Sequence, residues 1–346
     1  MEESKGPEPQ DLSTERDSIA EVERDTVPAS PIAPLTRSAG IGGETNFWYL
    51  HGEFRVFWKV SAYGTVAFFA MIFGGIAFFG IFREADWRFA TPIITLSAAL
   101  AATLFCAWAI ERIPLRETGP ILDFIGLRPH PRALRQLLLG LGITLLLQGI
   151  LLVLELLFGG ARMLSGHVTI AHTLSLLLYG FASFILVGFA EEILVRGYAF
   201  RVLQKQGSAA LALLLTSGLF SLMHALNPGI GWIGFANIFL AGIWLGVARI
   251  VTGSLWLSVG MHIGWNFFLG PVFGFPVSGI IERSVFVTTP RGAEWISGGA
   301  FGPEGGILVT LLLLAATAAL HHPRVRALVA PLPDETMLQE TIEVRE

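Results

Sequence analysis

The sequence contains few charged residues and a single cysteine, and each shortage excludes some classes of protein. Only 14% of its 346 residues are charged, against about 25% in an ordinary soluble domain, while 53% are hydrophobic. The single cysteine, Cys106, excludes an internal disulfide. The net charge of −4 shows no excess of basic residues, so nucleic-acid binding has no support. Long uncharged runs remain, and they indicate a membrane protein.

Eight apolar runs predict an all-α fold: a polytopic membrane helix bundle of about eight transmembrane helices. The predicted spans are 60–82, 89–110, 137–158, a fourth beginning near 170, 209–226, 232–250, 255 to about 275, and the short run 305–320. Lys and Arg are concentrated before the first span and in alternate loops after it. By the positive-inside rule, both termini are expected in the cytoplasm.

Composition divides the chain into three parts. Residues 1–46 are acidic and rich in Pro and Ser, which predicts a disordered N-terminal tail. Residues 47–326 form the predicted transmembrane helical domain, with a basic stretch at 122–136 along the cytoplasmic interface. Residues 327–346 are expected to be a short acidic C-terminal tail. The lipid bilayer is therefore the first expected partner.

The fourth span contains three charges in the run FAEEILVRGYAF, residues 189–200. Helical periodicity places Glu192 and Arg196 on one face, where they can pair. Glu191 lies about 100° around the helix and stays free to face a cavity. The alternative is a solvated helix end, but apolar residues continue, so we expect the helix to run on to about Leu203.

Two later spans bring further polar groups. The fifth ends in FSLMHALNPG with His224, and the seventh contains GMHIGWNFF, where His262 and Asn266 are four residues apart. His224 alone is more often a packing residue, and the pair of His262 and Asn266 alone is explained equally well by packing. Together with Glu191 they provide the base, orienting partner and oxyanion donors that hydrolysis by water needs. His224 lies near the NPG turn, so this interpretation requires the fifth helix to be displaced inward.

Three motifs carry a resemblance to a known family. EEILVR (191–196) fits EExxxR, FSLMH (220–224) fits FxxxH, and HIGWN (262–266) fits HxxxN, in that order. The chain thus resembles the CAAX prenyl endopeptidase and bacteriocin-processing proteases, also called abortive-infection-like proteins, over roughly 115–269, within an expected protease-like core at about 115–275. RGY, NP and TGSLW beside the motifs agree with it. One departure is Val195, where many members have Phe.

The resemblance implies an eight-helix bundle with a cavity opening toward the cytoplasmic side, and an intramembrane protease. Carried over by position, Glu191 activates water together with His224, while His262 and Asn266 stabilise the oxyanion. Glu192 and Arg196 are then structural supports. The implied substrate is a membrane-associated protein or peptide, and the expected location is a bacterial plasma membrane.

The sequence leaves open whether a metal takes part. Glu191, His224 and His262 are a candidate zinc set of two histidines and one glutamate with an open water position. HExxH is missing from the sequence, and Asn266 is a poor zinc ligand but a good oxyanion donor. These features favour a metal-free mechanism.

Two functions other than proteolysis also fit a bundle with buried charges. The first is a non-proteolytic scaffold, such as an immunity or sorting factor. The second is an ion-coupled transporter with the buried charges as its path, although the paired, interrupted helices frequent in transporters are not evident in the sequence.

Overall fold

A computed structural model describes residues 121–165, 169–281 and 283–329, together with 49–50, 53–54, 58, 61 and 63–65. The predicted N-terminal tail, nearly all of the first predicted span, the second span and nearly all of the predicted C-terminal tail lie outside the described residues. The six later predicted spans fall within them.

Helices form at all six of these positions. In chain order, the α-helices of residues 121–329 are α1 (Ile121–Ile125), α2 (Ala133–Leu157), α3 (Ile170–Glu192), α4 (Phe200–Gln206), α5 (Ala209–Met223), α6 (Trp232–Thr252), α7 (Trp256–Phe267), α8 (Glu294–Ser297), α9 (Ile307–His321) and α10 (Pro323–Val329). A π-helical segment, Ile193–Ala199, joins α3 to α4, and a second, Phe268–Val272, follows α7. The turns Gly299–Phe301 and Pro303–Gly305 are 3-10 helical.

Short strands accompany the helices and were not predicted. β1 (Tyr49–Leu50) pairs with β2 (Glu53–Phe54), and β3 (Ala161–Ser165) pairs antiparallel with β4 (Phe286–Pro290). The β3–β4 pair joins the loop after α2 to the loop before α8. Each of these strands has only five residues, which is too short for a recognisable strand pattern in the sequence.

The membrane character follows from helix length and composition. Among the described residues, three continuous helical stretches are long and apolar enough to cross a bilayer: Ala133–Leu157, Ile170–Lys205 and Trp232–Thr252. A fourth arises if α9 and α10, which are bent by 77°, count as one span. Large apolar side chains along α2, such as Leu134, Leu146 and Val153, face outward, as lipid contact requires. The chain is an integral membrane protein; the count of eight spans and the orientation stay predictions.

Glycines allow α2 and α7 to pack with their backbones in close approach. A Cβ at Gly140 would lie 2.5 Å from the backbone nitrogen of Met261, and one at Gly260 would lie 2.2 Å from the carbonyl oxygen of Leu137. Small residues at such crossings are the usual basis of helix association in membranes. This contact fixes the position of α7, which carries the third motif.

The first two motifs lie on either side of the turn that joins α4 to α5. α4 ends at Gln206, and Ser208 caps α5 by accepting a hydrogen bond from the backbone N–H of Leu211. Glu191 lies 15 residues before Gln206, and His224 lies 15 residues after Ala209 (206 − 191 and 224 − 209). Chain segments of equal length therefore separate Glu191 and His224 from the turn that joins α4 to α5.

Candidate active site

The charges of the first motif lie inside a continuous helix rather than at its end. The helix passes without interruption from α3 through Ile193–Ala199 into α4, as the sequence predicted. The π-helical turns were not predicted, and they contain Arg196. Such turns are frequent at functional sites. Glu192 and Arg196 are both fully buried, so their charges must be paired within the protein.

Glu192 is shared between two partners. Its Oε1 accepts a hydrogen bond from Arg196 Nη1 at 2.9 Å, which is the predicted i,i+4 pair. The same oxygen lies 3.0 Å from His262 Nδ1. Because an ionised carboxylate only accepts, the proton of this bond is on Nδ1. Glu192 thus connects the first motif to the third, a bond that helix periodicity alone did not indicate.

Glu191 faces the other nitrogen of the same imidazole. Its Oε2 is 3.8 Å from His262 Nε2, which is beyond hydrogen-bond length but close enough for charge interaction. The Glu191 side chain is 21% exposed, whereas that of Glu192 is fully buried. Oε2 of Glu191 has no hydrogen-bond partner within the described part of the chain. Glu191 therefore has an acceptor available, in the position expected of the free carboxylate.

His224 is placed by the end of α5. The helix has 15 residues and ends at Met223, so His224 is its C-cap. Its Nδ1 lies 2.8 Å from the carbonyl oxygen of Phe220. A carbonyl can only accept, so Nδ1 donates and Nε2 is left with a lone pair when the ring is neutral. His224 and His262 are thus both anchored through Nδ1 and both present Nε2.

Phe220 lies between the charged groups and was given no role by sequence reasoning. Its ring centroid is 4.8 Å from that of His224 and 5.8 Å from that of His262, the latter edge to face. The guanidinium carbon of Arg196 lies 4.1 Å from the same centroid. Such a cation–π contact is worth about 0.5–2 kcal/mol. The first residue of the FxxxH motif therefore joins all three motifs.

Asn266 follows His262 by one helical turn on α7 and is 9% exposed. Its carboxamide forms no hydrogen bond with the other five site residues in the described structure. The preceding residue, Trp265, is fixed by a hydrogen bond from its Nε1 to Glu304 Oε1 at 2.9 Å. The bond between Trp265 and Glu304 therefore fixes the backbone next to Asn266, while the Asn266 carboxamide stays available to bind a substrate.

Glu304 is a buried carboxylate that sequence reasoning missed. It lies in the turn Pro303–Gly305 and is 5% exposed. Burial raises the pKa of its carboxyl; hydrogen bonds from Ser278 and Trp265 and the charge of His224 act in the opposite direction. A single glutamate among glycines in GGAFGPEGG carries no periodic or motif signal, so nothing in the sequence marked it.

The candidate metal ligands do not form a ligand set. No three His, Cys, Asp or Glu side chains among the described residues converge closely enough to hold a metal ion. Glu191 and His262 approach each other, but His224 joins them only through the ring of Phe220. The set Glu191, His224 and His262 thus lacks the convergence that tetrahedral coordination of zinc requires.

The comparison with known proteins agrees with the motifs. Residues 173–268 match the family model described as type II CAAX prenyl endopeptidase Rce1-like. The match covers under a third of the chain and includes all three motifs. The resemblance found in the sequence is therefore confirmed over these residues, and the matching family is one of proteases. No curated protein matches the chain.

Proposed function

We propose that this chain, a relative of the type II CAAX prenyl endopeptidases over its three motifs, is an intramembrane endopeptidase. Its substrate is a membrane-associated protein or peptide. One observation carries the proposal: the two glutamates of the first motif flank His262 of the third, at 3.8 Å and 3.0 Å, and His224 of the second lies across a shared phenylalanine.

In the proposed reaction, water attacks the carbonyl carbon of the scissile peptide bond. The Glu191 carboxylate accepts a proton from that water, with His224 Nε2 as the second acceptor. Attack converts the carbonyl oxygen into an oxyanion. The tetrahedral intermediate then collapses, the C–N bond breaks, and the proton passes to the departing amine. The products are a new carboxylate and a new amino terminus.

The oxyanion is stabilised by the third motif. The Asn266 amide donates through its N–H₂ group. His262 donates through Nε2 only as an imidazolium, because its Nδ1 proton is already bound to Glu192. An imidazolium at this point is paired with carboxylates on both sides. Glu192 is therefore more than a brace for Arg196: it sets the orientation of His262.

The test compares membrane-protein termini in cells that carry the native protein, Glu191→Gln or Glu155→Gln. Glu155 is the matched control because it is buried in α2, belongs to none of the three motifs, and neither carboxylate oxygen has a partner among the described residues. Proteolysis predicts that precursors accumulate uncleaved with Glu191→Gln only. Identical termini in all three strains, with the cellular phenotype kept in Glu191→Gln, would favour the non-proteolytic scaffold instead.

A further inference from the structure

The turn before the last described span reaches back to the site. Pro303–Gly305 lies just ahead of α9 and outside the residues that match the protease family. Glu304 in this turn has a buried side chain, although a buried carboxylate costs free energy unless its acceptors are used. Its bonds therefore show which parts of the bundle it holds together.

Both carboxylate oxygens of Glu304 are occupied. Oε1 accepts from Trp265 Nε1 at 2.9 Å. Oε2 accepts from the backbone N–H of Ser278, and from Ser278 Oγ at 3.2 Å. Ser278 is the one non-glycine residue with positive φ, +47°, in the described chain. The hydrogen bond from the Ser278 N–H to Glu304 stabilises this uncommon backbone conformation.

Ser278 continues the connection to His224. Its carbonyl oxygen accepts from Asn227 Nδ2 at 3.0 Å, and the backbone N–H of Asn227 donates to the carbonyl oxygen of His224 at 3.0 Å. Trp265 precedes Asn266 on α7. Glu304 is thus bonded on one side to the residue next to Asn266 and on the other, through Ser278 and Asn227, to the turn that begins at His224.

The Glu304 turn is itself anchored. Asn237 Nδ2 on α6 donates to the carbonyl oxygens of Glu304 and Gly306, each at 2.8 Å. Asn237 Oδ1 accepts from Thr310 Oγ1 on α9 at 2.6 Å. These bonds fix the backbone on which the carboxylate stands, so Glu304 cannot follow a displacement of α7 or of the His224 turn without breaking them.

We propose that Glu304 is a positioning residue. It ties α7 beside Asn266 to the turn after His224, and it thereby fixes the distance between Asn266 and His224. Its effect on cleavage rests on the proposed function, whereas the tie itself does not. The residue acts through Trp265 and Ser278 and does not touch the reacting atoms. It adds the C-terminal part of the chain to a site otherwise formed by three motifs.

The first experiment needs no substrate. Protein in lipid nanodiscs is treated with diethyl pyrocarbonate, and the acylation rate of His224 is followed by mass spectrometry, with exposed His321 and His322 as internal references. Glu304→Gln keeps the size of the side chain, but its amide N–H₂ group then faces the backbone N–H of Ser278. Two donors cannot form a hydrogen bond with each other. Trp265→Phe removes the other bond. A several-fold faster reaction of His224 in both variants is expected, with the references unchanged.

The second experiment measures kcat and KM on a cleaved precursor. Misplacement of one catalytic group by about 1 Å costs up to roughly 100-fold, so Glu304→Gln is expected to lower kcat by tenfold or more while KM stays the same. Glu294→Gln, an exposed glutamate in the same segment, is the matched control and keeps the native kcat.

Two results overturn the proposal: native acylation of His224 in both variants, or native kcat in Glu304→Gln despite faster acylation. If His224 reacts faster in the variants but the native protein cleaves nothing, the tie is supported and the proposed function fails. The two ideas are therefore tested separately.

Discussion

At the scale of single residues, adjacent glutamates have different surroundings and are expected to have different roles. Glu192 is fully buried and bonded to both Arg196 and His262, whereas Glu191 is partly exposed and lies 3.8 Å from His262. Helix periodicity predicted this division between a paired and a free carboxylate. It did not reveal the bond to His262, because the partner lies 70 residues away on another helix.

Substitution of Glu192 should lower the stability of the protein, whereas substitution of Glu191 should abolish activity with little effect on stability. Glu192→Gln leaves the buried Arg196 without its counterion, which typically costs about 3–5 kcal/mol of unfolding free energy. Glu191→Gln breaks no hydrogen bond between described residues and should cost less than about 1 kcal/mol. Unfolding in mild detergent, followed by tryptophan fluorescence, measures both. Equal unfolding midpoints for native protein and Glu192→Gln would contradict the pairing.

At the scale of helices and loops, the positions of spans were more predictable than their contacts. The runs at 209–226 and 232–250 correspond to α5 (Ala209–Met223) and α6 (Trp232–Thr252). The inward displacement of α5 that the sequence led us to expect stays a prediction; the helix ends at Met223, three residues before the predicted end at Leu226. Glu191 and His224 are separated from the 207–208 turn by equal chain lengths, which the sequence already contained.

Other features of these elements had no sequence signal. The π-helical turns at Ile193–Ala199 arise from tertiary packing of a segment whose residues also suit an α-helix. The β3–β4 pair and the Glu304 turn depend on contacts between distant parts of the chain. Periodicity reports which face of a helix is apolar, but it does not report which loop returns to cover that face.

The contact of α2 with α7 gives a prediction with a control on the same helix. Gly140→Ala places a methyl group 2.5 Å from the Met261 backbone, and overpacking of this kind typically costs about 1–3 kcal/mol. Gly142→Ala meets nothing within 4 Å and should gain about 0.5–1 kcal/mol of helix stability.

Thermal unfolding of the two glycine variants in nanodiscs is the measurement. A lower midpoint for Gly140→Ala only is expected, with cleavage lost as α7 moves. If Gly142→Ala destabilises the protein as much as Gly140→Ala does, close backbone packing is not the cause.

At the scale of the whole molecule, the predicted topology places the α4–α5 turn in the cytoplasm. The same topology predicts the β3–β4 pair on the opposite side, because one candidate span, Ile170–Lys205, separates it from that turn. With Cys106 replaced by Ser, single cysteines at Ala210 and Thr289 should label with impermeant reagent from opposite faces of sealed vesicles.

Labelling of both cysteines from the same face would refute this arrangement of the bundle. Labelling from opposite faces, but with Ala210→Cys outside, would invert the orientation and leave the site geometry untouched. The labelling experiment therefore tests the orientation given by the positive-inside rule and does not test the proposed peptide hydrolysis.

The central claim is that Glu191 activates water within the bundle to hydrolyse a peptide bond. Its most direct measurement is cleavage by purified protein in nanodiscs, with a prenylated peptide or a precursor identified from the strain comparison. Native protein and Glu155→Gln are predicted to cleave at the same rate, while Glu191→Gln cleaves roughly 100- to 10,000-fold more slowly. Cleavage by Glu191→Gln at the native rate would contradict the account.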